Sequence, residues 1–71
     1  MKKVILNEDF IEKYKIERAK IEPTGEITEA DKGLISHLRS LEFPQQVEMG
    51  KKLTWLPKGG WISNQWLKIV D

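Results

Sequence analysis

The stretch Phe43-Pro44-Gln45-Gln46-Val47-Glu48-Met49-Gly50-Lys51-Lys52-Leu53-Thr54-Trp55 decides how this chain is read. A residue before proline disfavours the helical region, so a helix arriving at Phe43-Pro44 stops near Glu42. Beyond it Val47 and Met49 alternate with polar residues, as do Leu53 and Trp55. An apolar face common to two strands then requires Val47 opposite Trp55 and Met49 opposite Leu53, with Gly50-Lys51-Lys52 as the tip. The stretch reads as a helix end running into a small basic hairpin.

Working back from Pro44, Thr28 and Asp31 resemble a capping box with the shorter acid, and Leu34, Ile35, Leu38 and Leu41 follow at helical spacing. An earlier helix is predicted from Asn7 to about Lys15. Asn7 supplies the cap, Glu8 and Asp9 favour the positive end, and Phe10, Ile11 and Tyr14 share one face. Between them, Ile16 to Ile27 reads either as a prolonged helix or as a loosely extended segment before the turn at Pro23-Thr24-Gly25. Working forward, a turn at Pro57-Lys58-Gly59-Gly60 precedes Trp61 and Ile62. Ser63 is placed to cap a last short helix that buries Trp66, Leu67 and Val70, with a strand from Trp61 as the competing reading. Trp55 and Trp66 are large enough to be expected in the core, whereas Trp61, beside the Gly59-Gly60 turn, is equally suited to an exposed contact.

These elements make one small domain over residues 1–71, of α+β class, with two to three short helices plus a β-hairpin wing. A chain of 71 residues buries only about 60% of the surface its unfolded form exposes, so its stability is expected to be marginal. Cysteine is absent, which removes disulfides, thiolate catalysis and the usual structural zinc sites. The apolar run Val4-Ile5-Leu6 is far shorter than a signal-peptide core or a membrane span, and a soluble cytoplasmic protein is expected. Residues 1–31 carry six Lys/Arg against eight Asp/Glu, and residues 32–71 six against three, so the modest basic excess coincides with the helix end and the hairpin.

Lys32, Ser36, Arg39 and Ser40 share the polar side of the central helix, with groups that donate to phosphate oxygens or to base edges such as guanine O6 and N7. Lys51 and Lys52 beside Gly50 would follow a phosphate backbone without reading sequence. A helix in the major groove with a hairpin tip on the neighbouring phosphates is what a winged helix-turn-helix needs. His37 is the single histidine and has no base–nucleophile arrangement near it. Asp31, His37 and Glu42 lack the four-residue spacing that aligns metal ligands, and Met49-Gly50-Lys51-Lys52 lacks the rest of a phosphate-binding loop. No enzyme, metal or cofactor is expected.

A helix running into Phe43-Pro44, then Val47, Gly50 and Trp55, then a tryptophan-bearing segment at Trp66-Leu67, resembles the AlpA, Cox and Xis group of phage excisionases and regulators. Ile5 to Tyr14 is similar to the first helix of that family, although the segment from Ile16 to Ile27 is longer than its tight inter-helix turn. The resemblance implies a winged helix-turn-helix of a phage or mobile element that binds and bends attachment-site or promoter DNA. It also implies a recombination directionality factor that steers a tyrosine-recombinase integrase toward excision and can regulate transcription. Its partners would be double-stranded DNA, the integrase and further copies of itself on adjacent sites. The recognition-helix role would fall on Lys32, Ser36, Arg39 and Ser40, and the wing role on Lys51 and Lys52. The reading from a different class is a small phage-type interaction module that docks on a partner protein through Trp61, Ile62 and the Lys58-Gly59-Gly60 turn.

Overall fold

A computed structural model describes residues 1–70 of the chain. In order these are β1 (Lys2–Leu6), α1 (Glu8–Lys20), α2 (Glu29–Ser40), β2 (Gln45–Val47), β3 (Leu53–Leu56), β4 (Gly60–Ser63), a 3-10 turn at Asn64–Trp66, and β5 (Leu67–Ile69). The architecture is α+β with two antiparallel sheets, one ordered β2-β1-β5 and the other a β3-β4 hairpin. Among the described residues no helix is long and apolar enough to cross a membrane.

Both helix starts form as their caps predict. The Asn7 side chain accepts from the Phe10 N–H at 3.0 Å, and Thr28 Oγ1 accepts from the Asp31 N–H at 3.2 Å. These satisfy amide donors that a first helical turn leaves open. α1 continues beyond Lys15 to Lys20, so the first part of the ambiguous segment is helix and the turn occupies 21–28. α2 ends at Ser40, whose hydroxyl donates to the His37 carbonyl at 2.6 Å; Leu41 is already extended.

The hairpin differs from the expected one. Val47 pairs with Lys2 of β1, not with Trp55, and Trp55 pairs with Trp61. The turn that joins the paired strands is Pro57-Lys58-Gly59, and Gly50-Lys51-Lys52 is instead a bend between β2 and β3. Gly60 explains part of this choice: at φ 81° it holds a conformation that L side chains rarely adopt, and it starts β4 facing the Trp55 ring. The register also turns β3 over relative to expectation. Thr54 and Leu56 face inward, while Leu53 and Trp55 face solvent. Trp55, expected in the core, is 53% exposed.

The predicted last helix is likewise replaced. Ser63 makes no side-chain cap, the helix shrinks to one 3-10 turn, and Leu67–Ile69 pairs with β1. Trp66 and Leu67 are buried as expected, and the strand reading from Trp61 holds. β1 itself, unread in the sequence, is the central strand of its sheet.

The core lies where the inner faces of both sheets meet the helices. Val4 and Val47 come from the three-stranded sheet, Leu56 and Ile62 from the hairpin, Ile11 from α1, and Ile35 and Leu38 from α2. Trp66 closes the α1 side, its ring edge-on to Phe10 at 5.1 Å and to Tyr14 at 4.9 Å. Edge-to-face aromatic pairs add to the area they bury, so this cluster locks the 3-10 turn onto α1. The Asn7 N–H reinforces it by donating to the Trp66 carbonyl at 2.8 Å.

Candidate nucleic-acid interface

The polar side of α2 is exposed as its periodicity predicts. Asp31, Ile35 and Leu38 turn inward, leaving Lys32, Ser36, Arg39 and Ser40 in solvent. Lys32, Ser36 and Arg39 gather on the flank beside α1, where Lys15 joins them, while the Ser40 hydroxyl turns back to its own helix. Arg39 Nη2 donates to Glu8 Oε2 at 3.0 Å and lies 3.8 Å from Glu12 Oε1. That hydrogen bond and the Glu8 charge hold the Arg39 guanidinium above its usual range. Lys32 lies 3.4 Å from Glu29 Oε1 one turn back. The flank is thus a mixed-charge surface, in which the sequence pattern of α2 alone conceals the acids that α1 contributes.

On the opposite flank of α2 lies the β3-β4 hairpin. Leu34 and His37 of the helix and Leu41 just beyond it line a groove with Gly59, Trp61 and Ser63 of the hairpin. The hairpin tip is docked, not free. Gln45, nearly buried, donates through Nε2 to the carbonyls of Glu42 (2.7 Å) and Lys58 (2.9 Å) and accepts from the Lys58 N–H (3.1 Å). Lys58 Nζ in turn donates to Glu42 Oε2 at 2.8 Å, which raises the Lys58 pKa. Lys58, a candidate protein-contact residue, is therefore exposed but engaged.

Lys51 and Lys52 are exposed like the cations just described, but neither has an ionic partner among the described residues. The bend that carries them is held from beneath. Asn64 Nδ2 donates to the Gly50 carbonyl at 2.9 Å, the Asn64 N–H donates to the Lys52 carbonyl at 2.9 Å, and the Thr54 hydroxyl donates to Asn64 Oδ1 at 2.6 Å. The Gly50 N–H completes the clip by donating to Thr54 Oγ1 at 3.2 Å. A Cβ on Gly50 would collide with the Leu53 carbonyl oxygen, so glycine is required there by space. The two ammonium groups are consequently presented on a backbone ordered before any ligand arrives, which lowers the entropy cost of binding. Asn64 was not singled out in the sequence; nothing but the three-dimensional return of the chain brings it under Gly50.

Trp61, the other candidate contact residue, is 68% exposed. Among the described residues no group of three or more His, Cys, Asp or Glu gathers as metal ligands would. Comparison of the chain with models of protein families, with curated proteins and with solved structures finds no match.

Proposed function

We propose that this domain binds double-stranded DNA through the exposed side of α2 and the Lys51-Lys52 bend. The observation that carries the reading is a pair of lysines, without ionic partners among the described residues, on a bend clipped at both ends by Asn64 and Thr54. Such cations release counterions from phosphates without first breaking an internal ion pair. A hairpin lying alongside α2 supports the reading too, since helix and wing side by side are the minimum of a winged-helix interface, although the docked tip moves the wing role to its open end. Gly33, Ser36 and Ser40 give the helix a small polar crest that admits close approach to a groove, with Arg39 and Lys32 beside it.

The specific role that the resemblance implies is that of an excisionase. Copies on adjacent sites would bend attachment-site or promoter DNA and so direct an integrase toward excision. A single module of this size covers about 600–1,000 Å2 of DNA-facing surface, so affinity would depend on such neighbours or on the integrase. The pairing of Val47 with Lys2 removes the particular hairpin on which the wing part of the resemblance rested, leaving the helix-to-Phe43-Pro44 portion as its support.

The test is a gel-shift titration of the folded protein against DNA flanking its own gene and any nearby attachment site, with scrambled competitor at two salt concentrations. Discrete, salt-sensitive complexes that resist competitor and weaken in Arg39→Ala and in Lys51→Ala/Lys52→Ala are expected. A folded protein that shifts no DNA at low salt overturns the reading.

A further inference from the structure

The outer face of the β3-β4 hairpin carries a surface that the DNA reading leaves unused. Leu53, Trp55 and Trp61 point outward from it, each more than half exposed. Trp55 and Trp61 are cross-strand partners, their rings 5.4 Å apart and inclined at 70°. With Met1, Val47, Met49 and Pro57 they line a groove of about 470 Å3. Neither indole N–H has an acceptor among the described residues. Between the lining residues Gly50 and Leu53 stand Lys51 and Lys52, without ionic partners among the described residues, whereas the lining itself holds one carboxylate, Glu48.

We propose that this groove receives a short acidic segment of a partner protein, anchored by bulky apolar side chains. Each feature asks for part of that ligand. Two partly open indoles and flexible methionines accept large apolar side chains of variable shape. The free indole donors suit peptide carbonyls, and the lysine pair suits carboxylates placed at the Gly50 end, away from Glu48. Tryptophan is also the residue type most enriched among contacts that dominate protein interfaces.

The alternatives fit less well. Stacked nucleobases need open aromatic faces. Here the indoles meet edge to face, the other lining residues add no aromatic ring, and Glu48 among them would repel a phosphate. A second copy docked symmetrically through the same groove would bring both lysine pairs to one interface, where like charges repel. The groove shares Lys51 and Lys52 with the DNA reading, but its apolar lining plays no part there and its occupant is not a nucleic acid, so peptide binding and DNA binding can each fail without the other.

The experiment follows the indole N–H signals of the intact chain by 15N NMR, with buried Trp66 as internal control. Probes are a synthetic peptide with leucine and phenylalanine among aspartates, the same peptide with both apolar residues changed to alanine, a version with lysine in place of aspartate, and a single-stranded oligonucleotide. Saturable shifts of Trp55 and Trp61 with the first peptide alone, Trp66 unmoved, are expected. Lys51→Glu/Lys52→Glu, which breaks no hydrogen bond or ion pair among the described residues, should weaken that binding at least tenfold. Equal response to the lysine version, no response to any peptide, response to the oligonucleotide alone, or shifts that instead follow protein concentration would each overturn the proposal. The last two would assign the groove to nucleic acid or to a second copy.

Discussion

The Tyr14 hydroxyl donates to Asp31 Oδ1 at 2.9 Å, joining the middle of α1 to the first turn of α2. Arg18 Nε occupies the other oxygen at 3.2 Å. Burial pushes the Asp31 carboxyl up, but the hydrogen bonds from Tyr14, Arg18 and Thr28 and the Arg18 charge outweigh it and hold the carboxyl below its ordinary value. A depressed folded-state pKa contributes stability that is present above the ordinary aspartate range and lost as pH falls through the depressed value. Urea titrations should therefore show acid destabilisation in that window, and Asp31→Asn should be weaker at neutral pH and flatter across it. Tyr14→Phe, which removes one charge-assisted hydrogen bond, should cost about 1–2 kcal/mol. An unchanged acid limb in Asp31→Asn would show that the clamp contributes nothing to helix pairing.

The clip under the lysine bend yields a second expectation. Gly50→Ala forces the added methyl into the Leu53 carbonyl, so the bend must move and its contacts with Asn64 and Thr54 with it. A loss of about 1–3 kcal/mol in denaturant midpoint measurements is expected, a size typical of a mutation that strains a required backbone geometry. Asn64→Ala should fall in the same range by leaving the Gly50 carbonyl to water, while Lys51→Ala and Lys52→Ala, whose side chains make no hydrogen bond or ion pair among the described residues, should be silent in stability.

Both α-helices were legible because their signals are local: Asn7 and Thr28 cap as their side chains predict, and the apolar period of α2 marks its buried face. The strands were less so. Leu53-Thr54-Trp55-Leu56 carries apolar groups on both faces, so alternation alone does not say which side is inner, and a one-residue change of register exchanges them. What decides is non-local: Leu56 joins the core that includes Leu38 and Ile62, while β1 takes Val47 as its own partner. β1 went unread because a five-residue run is a central strand only once β2 and β5 flank it. The candidate residues on α2 were placed on the exposed side correctly, but Glu8 and Glu12, which engage Arg39, come from a different helix and no spacing rule connects them.

Salt dependence separates the cations of the proposed DNA interface. Each phosphate neutralised contributes close to one to the slope of log affinity against log salt. Lys51→Ala/Lys52→Ala should thus lower the slope by about two with little change in site preference. Arg39→Ala should reduce discrimination against scrambled DNA if Arg39 exchanges Glu8 for a base edge. Lys58→Ala should leave the slope unchanged, because Lys58 is already spent on Glu42 at the docked tip. Equal effects of Lys58 and of the bend lysines would mean that the tip undocks on DNA.

The two faces of β3 supply a last test, because the observed and expected registers predict opposite results for adjacent residues. Leu56, fully buried, should cost about 2–5 kcal/mol when replaced by alanine, enough to unfold much of a domain this small. Trp55→Ala, although it removes far more atoms, should cost much less, because over half of that side chain already faces water. The double replacement of Trp55 and Trp61 should reveal a coupling of about 0.5–1.5 kcal/mol, the size of an edge-to-face pair beyond its area burial. A larger penalty at Trp55 than at Leu56 would restore the hairpin in which Trp55 opposes Val47. The reverse order places the tryptophan pair outside, where the fold leaves it accessible at small cost to stability and where a partner can reach it.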